Sequence, residues 1–223
     1  MSGLKRLILT VSCFILFQFL IAIPDSVQAS EPKREIFVNV YTRKLSLIEE
    51  GRVIKTYPIA PGTPETPTPV GDWEVVEKSR NWGGGFGTRW IGLNVPWGTY
   101  GIHGTNRPHL IGQRVSHGCI RMRNRDVEEF YPFVQLGMQV HILGHPLVSS
   151  PYELPNRLVR GHRGSDVYII QNRLRAAGFY HGPVNGLFGS ATEEAIIQFQ
   201  KANRLPVSKQ IGMEEYRLLG LEE

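Results

Sequence analysis

Ile36-Phe37-Val38-Asn39-Val40-Tyr41 sets Ile36, Val38 and Val40 on one face and Phe37, Asn39 and Tyr41 on the other, and Leu45 and Leu47 continue the two-residue step. A period of two belongs to a strand with one buried face. Glu49-Glu50-Gly51-Arg52 reads as a hairpin turn, and further apolar runs follow at Val53 to Ile59 and Trp73 to Val76. Pro61 to Pro69 holds four prolines and predicts an extended loop. Asp126 to Leu136 is the one helix-like piece. Many short strands punctuated by Gly and Pro predict a mainly β fold, a β-sandwich-like domain over residues 34–144.

The texture changes after that. His145 to Arg160 carries three prolines and little periodicity, which makes residues 145–158 a linker. Residues 159–222 predict a small C-terminal three-helix α domain. Ser165 is placed to cap a first helix with Val167, Ile170 and Leu174 inward, ending at Gly178. Ser190-x-x-Glu193 has the form of a capping box opening a second helix, with Ala195, Ile196, Phe199 and Ala202 inward. A short third helix is expected over Met213 to Leu219. Without cysteine or clustered catalytic groups, this bundle reads as a binding or packing module.

Residues 1–29 have the form of an export signal: Lys5 and Arg6, an apolar stretch from Leu7 to Ile23, then Val27-Gln28-Ala29 before a cleavage point. An uncleaved anchor and a lipoprotein site at Cys13 are the competing readings. The whole chain carries a net charge of +5, and +4 without that segment. Such moderate basicity suits an anionic wall or membrane surface. Nucleic acid is not expected as a partner, because no basic–aromatic cluster stands out.

Removal of Cys13 with the signal would leave Cys119 as the sole cysteine, exported unpaired. A leftover thiol in an oxidising compartment points to an intermolecular partner or to reactivity. Its surroundings, Ser116-His117-Gly118-Cys119-Ile120-Arg121, favour a nucleophile. His103, His109 and His117 offer bases, and Arg121 a positive charge that lowers a thiol's pKa. Gly118 permits a turn that aims consecutive amides at an oxyanion, and Gly104 leaves room beside His103. The duller readings are a small buried hydrophobe, a zinc ligand, and an interchain disulfide; the His-x-Cys spacing matches no common zinc pattern. His109 reads as a loop residue. Gly83-Gly84-Gly85-Phe86-Gly87 reads as a flexible loop, lacking the lysine and helix of a phosphate cradle.

On Ile102-His103-Gly104-Thr105, Ser116-His117-Gly118-Cys119-Ile120-Arg121-Met122 and Thr66-Pro67-Thr68-Pro69-Val70-Gly71, the chain resembles the YkuD-type L,D-transpeptidases of bacterial cell walls. Residues 161–221 resemble the three-helix peptidoglycan-binding domain, through Gly164-Ser165-Asp166-Val167, Gln171, Leu174, Gly186, Phe188-Gly189 and Phe199-Gln200. The two resemblances imply one polymer. They imply that Cys119 attacks a tetrapeptide stem, releases D-alanine and holds a thioester. The diamino-acid amine of a neighbouring stem then resolves it. His103 is implied as base, the Gly104 carbonyl as its orienting partner, and the amides of His117, Gly118 and Cys119 as oxyanion donors. Ser116 and Arg121 complete the expected site. Some members carry asparagine where this chain has Arg121. No cofactor or metal is expected, a monomer is expected, and carbapenems are expected covalent inhibitors. The protein is expected to be exported and wall-associated, secreted or periplasmic. An L,D-carboxypeptidase, a wall endopeptidase and a non-catalytic wall-binding protein are the alternatives. Deleting residues 159–223 is expected to weaken binding to insoluble wall material and to leave the thiol chemistry in place.

Overall fold

A computed structural model describes residues 32–145, 147 and 157–221. The signal read in residues 1–29 and most of the linker read in residues 145–158 lie outside the described residues. Strands β1 (Arg34–Asn39), β2 (Lys44–Glu49) and β3 (Arg52–Pro58) form an antiparallel meander. Its first residues are the alternating stretch, with Ile36, Val38, Leu45 and Leu47 fully buried. The β2–β3 turn puts Glu50 at φ 49° and Gly51 at φ 74°. Two successive positive φ values are the two-residue hairpin form whose twist matches that of its strands.

The remaining strands are β4 (Gly71–Arg80), β5 (Arg89–Leu93), β6 (Tyr100–His103), β7 (Ile120–Arg121) and β8 (Gln139–Leu143). They complete one curled eight-stranded sheet in the order β3-β2-β1-β8-β4-β5-β6-β7. The mainly β expectation holds. The β1–β8 and β6–β7 pairs are parallel and the rest antiparallel. Helix α1 (Asn124–Phe130) follows β7, and Val127 and Phe130 enter the sheet's core. It is shorter than the sequence suggested and starts two residues earlier. Pro132 lacks the N–H that would continue the ladder, and the chain passes into a single 3-10 turn at Tyr131–Phe133.

A second core lies among α2 (Ser165–Ala176), α3 (Ser190–Ala202) and α4 (Met213–Leu218). Val167, Ile170, Leu174, Ala195, Ile196 and Phe199 fill it as the helical period predicts, joined by Tyr216, whereas Ala202, expected inward, is exposed at the last position of α3. The caps differ from expectation. Gly164 and Gly189 occupy the capping positions, so Ser165 and Ser190 are first helical residues and neither caps its helix. The Ser165 hydroxyl instead accepts the Val70 N–H at 2.9 Å. Gln171 is completely buried, and all its polar capacity is used. Its Oε1 accepts from Asn185 and Gly186 amides at 2.9 and 2.8 Å, and its Nε2 donates to Leu187 O and Thr192 Oγ1. A buried amide so satisfied fixes the 185–187 loop on α2.

Candidate active site

The register of two short strands assembles the site. In the parallel β6–β7 pair, Ile102 stands beside Ile120 and His103 beside Arg121. Side chains alternate along strands. Ile102 and Ile120 therefore share the core face, where both are buried, and His103 and Arg121 share the opposite face. Cys119, in the bend just before β7, lies close to the Gly101 backbone and to Arg121. Antiparallel pairing with β5 sets Trp90 opposite His103 and Gly92 opposite Gly101. Trp90 and Phe86 lie against the imidazole, with centroid distances of 5.8 and 5.0 Å. The Gly83–Gly87 stretch is thus a wall of the site, closed by a Gly83 N–H bond to Gly87 O at 3.0 Å.

Three loops hold this face in place. The proline-rich loop runs against the cysteine segment: Ala60 and Arg121 exchange backbone bonds at 2.9 and 3.0 Å, and Thr63 N–H donates to Ser116 O at 3.0 Å. Ser116 is buried, accepting the Gly118 N–H at 3.1 Å and donating to Cys119 O at 2.5 Å. Gly118 adopts φ +107°, and a Cβ there would meet the Tyr100 ring at 2.6 Å. Asn124, at the start of α1, accepts the Thr105 N–H at 3.1 Å and the Thr88 N–H at 3.3 Å through one oxygen. It ties the Gly104 turn to the Gly87 turn.

The electrostatics follow from burial. His103 is 3 % exposed, and its Nδ1 lies 2.5 Å from the Gly104 carbonyl oxygen. That contact assigns the proton to Nδ1 and the basic lone pair to Nε2. Burial drives its pKa down from 6.5 to about 4; the Gly104 carbonyl opposes the shift and Arg121 adds to it. Burial also raises the Cys119 thiol, against the pull of the Gly101 backbone and of Arg121. The Cys119 Sγ stands 4.0 Å from Thr99 O. The free protein therefore holds a neutral imidazole and a neutral thiol rather than an ion pair. Arg121 has a buried Nε with no hydrogen-bond partner among the described residues. This arrangement suits a nucleophile deprotonated only as it attacks, with a cation near the developing charge.

The structure brings together His103, Gly104, Ser116, Gly118, Cys119 and Arg121. His117 points to solvent and His109 is exposed in a 3-10 turn at Pro108–Leu110. Thr99, Tyr100, Gly101, Phe86 and Asn124 were missed from sequence. Asn124 carries no periodic or motif signal, because its partners are two amides 36 and 19 residues away. Among the described residues no three His, Cys, Asp or Glu side chains converge on a metal position.

A buried histidine stands beside Arg121 in the β6–β7 register, and a free thiol lies next to that arginine. The profile of the L,D-transpeptidase catalytic domain matches residues 33–142, and that described as "Putative peptidoglycan binding domain" matches residues 163–219. The "Putative L,D-transpeptidase YkuD" of Bacillus licheniformis is 49% identical over 107 residues, covering 48% of this chain and 64% of that protein. "Putative L,D-transpeptidase YqjB" of Bacillus subtilis is 37% identical over 123 residues, covering 48% of this chain and 69% of that protein. The chain belongs to the L,D-transpeptidase family. It spans 64% of the length of the YkuD proteins it matches in the two Bacillus species. Among solved structures, L,D-transpeptidase 3 from Mycobacterium tuberculosis with a faropenem-derived adduct is 20% identical at TM-score 0.45, covering 51% of this chain and 61% of that one. The catalytic domain from E. faecium is 24% identical at TM-score 0.44, covering 51% and 99%.

Proposed function

We propose that the protein cross-links peptidoglycan stem peptides as a cysteine-dependent L,D-transpeptidase. The observation that carries this reading is the β6–β7 register, which sets His103 beside Arg121, next to Cys119, with the His103 Nδ1 held by Gly104. Cys119 Sγ attacks the carbonyl between the L-centre of a stem diamino acid and the terminal D-alanine. His103 Nε2 takes the thiol proton as the C–S bond forms and returns it to the departing D-alanine amine. A neighbouring stem's side-chain amine then attacks the thioester, forming the new amide and restoring the thiol. The amides of His117 and Cys119 would face the oxyanion. The Gly118 amide is already engaged by Ser116, so its contribution is to the turn. The unpaired Arg121 Nε–H offers a donor to a substrate oxygen.

The C-terminal region would bind the same polymer. Its cavity of about 410 Å³ is lined by Phe179, His181, Gly182, Glu194 and Gln198, a mixed aromatic and polar surface suited to sugar or peptide. This reading divides residues 34–144 and 159–222 into catalytic and binding domains. It places a monomeric protein outside the cytoplasm, at the wall, with residues 1–29 serving export.

The test is incubation with a disaccharide-tetrapeptide and separation of the products. Dimers with released D-alanine support transpeptidation, tripeptide monomers alone assign a carboxypeptidase, and unchanged substrate leaves only the binding role. In parallel, intact-protein mass spectrometry should find a carbapenem adduct on the wild type and none on Cys119→Ala. A folded wild type that takes no adduct would count against Cys119 as nucleophile.

A further inference from the structure

The face of α2 nearest the sheet carries Tyr168, and this ring does not belong to the helical core. It packs on the sheet's core, against Trp73 at 5.2 Å and Trp97 at 5.8 Å, while the two tryptophans meet edge-on at 5.2 Å. Trp97 is buried although it lies on the connection between β5 and β6. Its ring lies on Gly186, where a Cβ would approach the indole to 2.3 Å. Gly186 is held in turn by Gln171 and by its carbonyl accepting the Gly164 N–H at 2.9 Å. The Ser165 hydroxyl adds the bond from Val70, at the end of the proline-rich loop.

The same connection forms one side of the thiol site. Two residues beyond Trp97, Thr99 presents its carbonyl to Cys119 Sγ at 4.0 Å. The next residue, Tyr100, packs over Gly118 so closely that no side chain fits there. Burial raises the Tyr100 hydroxyl's pKa most and Cys119 adds to this, while the Trp97 side chain opposes it and Arg163 of the helical region does so less. A short segment with Trp97 clamped at one end and the reactive thiol at the other transmits position, because a packed aromatic cluster resists continuous deformation.

We infer that Tyr168 and Gly186 are positioning residues for Cys119: the helical region holds Trp97, and Trp97 holds the Thr99–Tyr100 wall of the thiol site. This rests on Cys119 being the reactive thiol. Deleting residues 159–223 then does not leave the thiol chemistry intact, the reverse of what the sequence leads one to expect. The helices are a structural part of the catalytic site as well as a wall anchor.

The experiment uses the full chain as wild type, Tyr168→Ala, Tyr168→Phe and Trp97→Ala. It measures the second-order rates of carbapenem acylation and of iodoacetamide alkylation, with thermal unfolding alongside. Tyr168→Ala and Trp97→Ala should acylate about tenfold more slowly or worse, as a misplaced wall costs rate steeply. Tyr168→Phe, which keeps the ring, should recover the wild-type rate. A purely structural contact would lower the melting temperature and leave both thiol rates unchanged, and that result in Tyr168→Ala would overturn the inference. If the wild type takes no carbapenem, the transpeptidase reading fails by itself, and the alkylation rates of the same variants still decide the coupling.

Discussion

Acid should destabilise this protein through His103, by an amount set by the site's burial. The imidazole titrates at 6.5 when free and at about 4 in the folded chain, where it is walled by Phe86 and Trp90. Above pH 6.5 both states are neutral at this position and it contributes no pH dependence. As pH falls from 6.5 towards 4, the unfolded chain takes up a proton that the folded chain refuses, and stability is lost. At pH 4.5 the loss relative to pH 7.5 is about 2.5 kcal/mol. For a chain of this size that is a fall in melting temperature of roughly 5–10 °C. Carboxylates titrate in the same range, so the informative quantity is the difference between wild type and His103→Gln, whose amide can still donate to the Gly104 carbonyl. Urea unfolding at pH 7.5 and 4.5 should show the wild type losing about 2.5 kcal/mol more than the variant. Equal losses in both proteins would refute a buried neutral imidazole, and with it the assignment of His103 as a base uncharged before substrate arrives.

Three further outcomes test the site and its supports. Gly118→Ala combines a backbone strained at φ +107° with a clash against Tyr100, and should cost about 2–5 kcal/mol together with most of the acylation rate; a melting temperature within a degree or so of wild type would contradict that geometry. Iodoacetamide alkylation of Cys119 should rise through an inflection above 9, since burial lifts the thiol from its ordinary 9.0, and a rate already level by about pH 8 would mean an activated thiolate instead. Gln171→Leu would leave the Asn185 and Gly186 amides bare in the core, a loss of about 2–5 kcal/mol in urea unfolding, whereas a neutral result would show that water replaces the glutamine.

The sheet and the helices were legible for different reasons. Ile36 to Leu47 repeats every two residues because one face is buried, and Val167 to Leu174 steps by three and four because one side of a helix is. The helix starts were misread at Ser165 and Ser190. A serine before an apolar run looks the same whether it caps its own helix or bonds a distant amide, as Ser165 does with Val70, 95 residues away. The Gly83–Gly87 stretch reads from sequence as a flexible loop. Its role depends on Trp90 and His103 meeting across β5 and β6, and no local pattern encodes that pairing.

The sequence alone determined that Cys119 is chemically set apart. A thiol bracketed by Gly118, Arg121 and nearby histidines reads as a candidate nucleophile by residue type, and the family resemblance rests on those same residues. Spacing could not choose between His103 and His117, because sequence distance does not report on faces. The parallel register of β6 and β7 favours His103: it sets His103 beside Arg121, the residue whose charge also acts on Cys119, while His117 is exposed. Tertiary packing also decided that the helical region meets the connection beside the site, with Tyr168 and Gly186 against Trp97. In the sequence Tyr168 carries no signal and Gly186 marks only the helical module; the proposed role of both depends on Trp97 coming to rest against them.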